Sequence, residues 1–185
     1  MRPAVFLDRD GVLTVEESYV CLAEQLKIFP YAKECIEEIH RWGYYAIVIT
    51  NQSGIARGLF PEEELQKMNQ MLMQQTSVDA VYYCPHHPEG KVKKYAVTCN
   101  CRKPQTGLLK KACQDFQIDL THSFMVGDRA GDILAGIEMG IKTVLLESGY
   151  GSQRLEQNVQ PHYRLEDLKA FVELLGEQGY KGDCH

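Results

Sequence analysis

Short apolar runs alternate with segments of helical period along this chain, and that alternation leaves little choice of architecture. VFL (5–7), YAIVIT (45–50), DAVYYC (79–84), SFMVGD (123–128) and KTVLLE (142–147) have the length and the β-branched or aromatic content of buried strands. YAKECIEEIHRW places Ala32, Cys35, Ile36, Ile39 and Trp42 on one helical face and is closed by Gly43. PEEELQKMNQMLMQQ (61–75) opens on Pro61 and three acids and repeats apolar residues at 65, 68 and 72. TGLLKKACQDF, DILAGIEMG and LEDLKAFVELL (165–175) supply three more amphipathic helices. Strands separated by helices predict a doubly wound α/β fold, a parallel sheet covered on both faces with right-handed crossovers.

At 185 residues the chain fits one domain, expected over 1–175, with GEQGYKGDCH (176–185) read as a flexible tail. Between Asp10 and Thr50 there is room for one loop and one helix, and no spacing accommodates a separate cap domain. A net charge of −5 argues against a nucleic-acid or anionic-membrane partner. No apolar run reaches the roughly 20 residues that span a bilayer, and no signal-peptide layout opens the chain, so the expectation is a cytoplasmic monomer.

In such a fold ligands bind at the carboxyl ends of the strands. Asp8 and Asp10 follow the first strand, Thr50 ends the second, and Asp128 ends the fourth, with Asp132 four residues on. Like charges this close repel unless a cation or another partner sits between them, and clustered carboxylate oxygens are the donors that Mg²⁺ takes beside a substrate phosphate. Asp8 suits a nucleophile attacking phosphorus, and Asp10, two residues along the same strand face, suits the acid/base. Charge developing on the phosphoryl oxygens needs fixed donors, for which Thr50, the amides of NQSG (51–54) and Lys103 are the candidates.

The stretch CPHHPEGKVKKYAVTCNCRKP holds Cys84-x-His86 and Cys99-x-Cys101, three thiols and an imidazole, which suffice for a closed tetrahedral Zn²⁺ site with His87 as the competing nitrogen. Seven cysteines in patterned segments favour thiols and metal ligands over disulfides. Cys21, Cys35 and Cys113 read as small apolar residues and Cys184 as a tail thiol. A structural zinc here would fix Arg102 and Lys103, which follow Cys101 directly. Selection of a small polar phosphate ester then falls to three loops: Glu16–Tyr19, Gln52–Gly58 with Arg57, and the zinc loop with Arg102.

In the order DRDG, IVITN, KP and GDRAGD, these residues resemble the four motifs of the haloacid dehalogenase superfamily of phosphatases over about residues 4–150. The resemblance implies a Rossmann-like core, Mg²⁺ held by Asp8, the Asp10 main-chain carbonyl and Asp128, nucleophilic Asp8, acid/base Asp10, and phosphoryl-stabilising Thr50 and Lys103. DRDGVLT, TNQSGIARG, CPHHPEG and CNCRKP further resemble the branch of heptose 1,7-bisphosphate 7-phosphatases, which serve bacterial surface-glycan synthesis. That resemblance implies substrate contacts from Asp8, Arg9 and Asp10, from Glu16, Glu17, Ser18 and Tyr19, from Thr50, Asn51, Gln52 and Ser53, and from Arg102, Lys103 and Arg129. Glu16, Glu17 and Ser18 stand where that branch usually has Asp, His and Gly, and Arg129 where it usually has Lys. The histidinol-phosphate phosphatases, which share the rim and the zinc with a shorter spacer, are the alternative. A non-catalytic phosphate-binding module and a phosphotransferase complete the readings.

Overall fold

The structure is a computed structural model that describes residues 1–150 and 159–178. Six strands, β1 (Arg2–Leu7), β2 (Tyr45–Asn51), β3 (Ala80–Cys84), β4 (Ile118–Gly127), β5 (Lys142–Leu146) and β6 (Tyr163–Leu165), form one sheet in the order β3-β2-β1-β4-β5-β6. Every pairing is parallel. The helices are α1 (Ala32–Arg41), α2 (Glu62–Thr76), α3 (Gly107–Phe116), α4 (Ala130–Glu138) and α5 (Leu168–Gln178), with a 3₁₀ turn at Ala23–Gln25.

Side chains of β1 alternate between two cores, as the two-residue strand period requires. Val5 and Leu7 pack with Ile36 and Ile39 of α1 and Leu168, Phe171 and Leu175 of α5. Ala4 and Phe6 face Leu109 and Ala112 of α3 and Ala135 of α4. Burying these faces provides the folding drive, at ~25 cal/mol per Å² of apolar surface. Gly43 carries the φ of +85° that ends α1 in a left-handed turn.

Three elements differ from the sequence expectation. β4 begins at Ile118 rather than Ser123, because its polar start pairs with the end of the sheet, Arg2 with Ile118 and Pro3 with Asp119, before a register shift. β6 is a three-residue edge strand too short for a two-residue period to register, held by pairing Val144 with Tyr163. α5 runs from Leu168 to Gln178 rather than over 165–175, so Leu165 belongs to β6 and residues 176–178 are helical. The remainder of the expected tail, 179–185 with Cys184, lies outside the described residues. Among the described residues no helix is long and apolar enough to cross a membrane.

Chain order reverses between β1 and β4, which are neighbours in the sheet although two other strands lie between them in sequence. Such a switch point opens a crevice at the strands' carboxyl ends. Asp8 leaves β1 there, still paired through its N–H to the Val126 carbonyl at 2.9 Å.

Candidate active site

Lys103 stands at the centre of the crevice. Its Nζ lies 3.0 Å from Asp8 Oδ1 and 2.6 Å from Asp132 Oδ1, and it donates to the Ile49 carbonyl at 2.5 Å. The side chain is only 2% exposed. Burial alone would favour the neutral amine, but Asp132 and Asp8 outweigh it and hold the ammonium above its usual range. The Lys103 backbone is clamped as well: Asn51 accepts its N–H at 3.0 Å and donates to its carbonyl at 3.1 Å. Asp8 is pushed up to about 6 by burial, with Asp132 and Asp10 adding to the rise and Lys103 opposing it.

Asp128 sits between two glycines. A Cβ at Gly11 would lie 2.4 Å from Asp128 Oδ2 and one at Gly149 2.1 Å from it, so both positions exclude a side chain. Gly11 also has a φ of +80°. Asp128 Oδ2 accepts the Tyr150 N–H at 2.8 Å, while its Oδ1 is buried with no hydrogen-bond partner among the described residues. Burial, then Asp8 and Asp132, push this carboxyl up to about 8. Asp8, Asp128 and Asp132 each present an oxygen within 4.8 Å of the others. An orphaned buried oxygen among three carboxylates is the environment a hard cation satisfies.

Asp10 is held differently. Arg9 donates to it from Nε and Nη2, each at 3.0 Å, Thr14 donates at 3.1 Å and Gln52 at 2.9 Å. Burial works to raise its pKa, but Arg9, Gln52 and Thr14 together bring it below the usual carboxylate value. Asp8 and Asp10, two residues apart in the chain, therefore occupy opposite electrostatic environments.

A cavity of about 260 Å³ lies over these groups. Of the residues singled out in the sequence, Asp8, Arg9, Asp10, Glu16, Glu17, Ser18, Tyr19, Asn51, Gln52, Ser53, Arg102, Lys103 and Arg129 line it. Asp132, four residues past Asp128, lines it too, bound to Lys103 and accepting the Arg129 N–H at 3.0 Å. Val20, Gly54, Phe60 and Gly131 complete the wall. Nothing local in the sequence marks Phe60; it enters because Gly54 has no side chain, a Cβ there lying 2.3 Å from its ring.

Of the expected catalytic and substrate-binding positions, two stand elsewhere. Thr50 is buried and does not line the cavity; its hydroxyl accepts Gln52 Nε2 at 2.9 Å, and the same nitrogen reaches Asp10, so Gln52 links the two. Arg57 also lies off the cavity. Its loop folds into tight turns and docks on the cysteine loop, the Ala56 carbonyl accepting Lys91 N–H at 2.7 Å and Val92 N–H at 3.0 Å. That docking turns Arg57 toward His87, Nη2 to Nε2 at 3.2 Å, and leaves its Nε buried without a partner among the described residues.

The four expected zinc-binding atoms meet. Cys84 Sγ is 3.6 Å from Cys99 Sγ, 3.1 Å from Cys101 Sγ and 3.7 Å from His86 Nδ1; Cys101 Sγ is 3.3 Å from both Cys99 Sγ and His86 Nδ1. These are close to the edges of a tetrahedron drawn with metal–sulfur bonds of ~2.3 Å, and no disulfide competes for the thiols. His87 is excluded, its Nδ1 accepting the Glu89 N–H and its Nε2 facing Arg57. Cys35 is buried, and Cys21 and Cys113 are half-buried. Arg102 sits just past the cluster, Nη1 at 3.4 Å from the His86 carbonyl.

A HAD-hydrolase-like family model matches residues 100–171. The chain is 38% identical over 181 residues to the D-glycero-beta-D-manno-heptose-1,7-bisphosphate 7-phosphatase of Pasteurella multocida strain Pm70, covering 95% of this chain and 97% of that protein. The protein of that name from Escherichia coli K12 is 37% identical over 153 residues, 80% of each chain. Among solved structures, D,D-heptose 1,7-bisphosphate phosphatase from B. bronchiseptica, complexed with magnesium and phosphate, superposes with a TM-score of 0.80 at 31% identity, covering 95% of this chain and 99% of that one.

Proposed function

The chain belongs to the haloacid dehalogenase superfamily of phosphatases, in its heptose-bisphosphate branch, and we propose that it hydrolyses the 7-phosphate of D-glycero-β-D-manno-heptose 1,7-bisphosphate through a phosphorylated Asp8. The observation that carries this reading is the convergence of Asp8, Lys103 and the Asp8–Asp128–Asp132 carboxylates beneath one polar cavity.

An oxygen of Asp8 attacks phosphorus, forming an aspartyl–phosphate bond as the ester P–O bond breaks. Asp10 gives a proton to the departing sugar oxygen and later takes one from the water that cleaves the aspartyl-phosphate. The four donor contacts on Asp10 favour its carboxylate, which suits the second task. Lys103 and the amides of Ser53 and Gly54 stabilise the transferring phosphoryl oxygens, Asn51 keeps Lys103 in register, and Thr50, buried off the cavity, acts on the site only through Gln52. Asp132 orients the Lys103 ammonium. Mg²⁺ fits the carboxylates of Asp8 and Asp128 and the main-chain carbonyl of Asp10, where it would neutralise charge on the carboxylates and the phosphoryl group. Zn²⁺ fits Cys84, His86, Cys99 and Cys101 as a structural ion.

Phosphate release measured with both anomers of heptose 1,7-bisphosphate and with histidinol phosphate tests the substrate. Preference for the β anomer by at least ~10-fold in kcat/KM, about 1.4 kcal/mol, is expected. A preference for histidinol phosphate would move the chain to the neighbouring branch.

Magnesium carries a separate expectation. Asp8 at about 6 and Asp128 at about 8 hold protons more tightly in the folded chain than the ordinary 3.8. Their contribution to the stability of the metal-free protein is therefore full below pH ~4 and is lost as pH rises through about 6 and then 8. A cation that relieves the repulsion should raise Tm by several degrees more at pH 8 than at pH 5.5. Thermal denaturation with and without Mg²⁺ at the two pH values checks it, and an equal gain at both would detach the ion from these carboxylates.

A further inference from the structure

Arg9 lies between the two aspartates and borders the cavity, yet its side chain is only 2% exposed and stands with Phe6 and Leu7 among the largest fully buried side chains. A guanidinium leaves water only with a partner, and the one ion pair of Arg9 among the described residues is with Asp10. The contact is bidentate: Nε reaches Oδ1 and Nη2 reaches Oδ2, each at 3.0 Å. Such a fork fixes the plane of a carboxylate as well as its position. The third nitrogen, Nη1, faces the Met68 sulfur of α2 at 3.9 Å. Met68 is fully buried and packs with Ile55, Phe60 and Leu65. The guanidinium is thus wedged between the acid/base and an apolar core.

The Arg9 main chain holds the rest of the turn. Its N–H donates to Asp8 Oδ1 at 2.8 Å, and its carbonyl accepts the amides of Leu13 and Thr14 at 2.9 and 3.0 Å. Thr14, placed by that turn, donates its hydroxyl to Asp10 Oδ1 at 3.1 Å. One residue therefore touches both carboxylates, the nucleophile through its backbone and the acid/base through its side chain. The outer torsion of an aspartate is broad and roughly two-fold, so Asp10 has no preferred plane of its own. Thr14 holds one of its oxygens and Gln52 the other; Arg9 alone among these donors holds both.

We propose that Arg9 is the positioning residue of the acid/base: its fork, seated on Met68, sets the plane of the Asp10 carboxylate and with it the geometry of both proton transfers. The assignment rests on the aspartyl-phosphate route and deepens it. The family resemblance implied a substrate contact for Arg9; the proposal gives its side chain a different partner.

The two chemical steps make the role readable. A sugar oxygen takes a proton from Asp10 as its bond to phosphorus breaks, whereas p-nitrophenolate leaves as an anion and takes none. In the second step water bonds to phosphorus, its proton passes to Asp10, and the Asp8 carboxylate and inorganic phosphate are released, whichever ester was used. In Arg9→Met, whose apolar side chain suits the contact with Met68, kcat on heptose 1,7-bisphosphate should fall about 100-fold with KM little changed. On p-nitrophenyl phosphate the same variant should release about one equivalent of p-nitrophenolate per enzyme in a burst and then turn over slowly, as aspartyl-phosphate accumulates. In Arg9→Ala, guanidinium at millimolar concentration should restore turnover of heptose 1,7-bisphosphate at least ~10-fold and ammonium should not, because only guanidinium reproduces the fork.

Melting reads the same pair without chemistry. Asp10→Asn leaves the buried guanidinium without its counter-charge and should lower Tm by several degrees, and adding Arg9→Met should recover most of that loss. Full activity in Arg9→Met, a loss confined to KM, or a loss on both esters without a burst would overturn the proposal. A double variant no more stable than Asp10→Asn would do so too. If Asp8→Asn turns over freely, the aspartyl-phosphate reading falls, while the melting cycle still reports on Arg9 and Asp10.

Discussion

Asp8→Asn is expected to remove nearly all turnover, by roughly 10⁴-fold or more, as loss of a covalent nucleophile does elsewhere. An amide oxygen in the same place cannot form the aspartyl-phosphate, so kcat should fall without a compensating change in KM. The fold should not suffer. The Asp8 charge is the unfavourable element of the resting site, raised to about 6 by burial and by Asp132 and Asp10, while Lys103 keeps Asp132 and the Ile49 carbonyl as partners. Without Mg²⁺ and near pH 8 the variant should therefore melt at or above the wild-type temperature. Steady-state phosphate release and a melting curve on the same preparation separate the two effects. Residual activity above about 1% of wild type, with folding intact, would remove Asp8 from the nucleophile's role and favour a route in which water attacks directly.

The reach of the sequence ended where contacts between distant segments began. Five of the six strands and all five helices were legible because each carries its own period, and the strand-end positions of Asp8, Asp10 and Asp128 followed from the parallel topology. The edge strand Tyr163–Leu165 was not legible, because three residues show no alternation and its existence depends on β5. Within the site, residue types announced the chemistry, but partnerships did not. Asn51 appeared as one more polar residue near a phosphate; only the fold shows both ends of its amide closing on the Lys103 backbone across 52 residues. The 2.6 Å contact of Asp132 with Lys103 likewise joins two segments that the sequence does not connect. Arg57 misled because its charge suggested the substrate, whereas the docking of its loop at the Ala56 carbonyl turns it to His87.

Those loop dockings set the expected consequence of removing zinc. The segment from Cys84 to Cys101 is polar and has few apolar side chains of its own to bury. It is tied down at its middle by Tyr95, whose hydroxyl donates to Glu62 at 2.5 Å, and by the two amides on Ala56, and at its ends by the four metal-binding atoms. Structural zinc in peptides is worth ~10–16 kcal/mol of apparent binding energy. If about 5 kcal/mol of that stabilises the folded chain, Cys99→Ser or chelation should lower Tm by roughly 10–20 °C at this size. Catalysis should respond unevenly. Lys103 keeps Asn51, Asp8 and Asp132 as anchors that do not depend on the metal. The one side-chain hydrogen bond of Arg102 among the described residues is the 3.4 Å approach to the His86 carbonyl, so its guanidinium loses its position with the loop. KM should then rise at least ~10-fold while kcat falls less, as expected when a ground-state contact is lost. Metal analysis of protein purified without added zinc, with melting and kinetics repeated after chelation and restoration of Mg²⁺ alone, reads all three. A Cys99→Ser protein without zinc that melts within ~2 °C of wild type would show that Glu62 and Ala56 suffice to hold the loop.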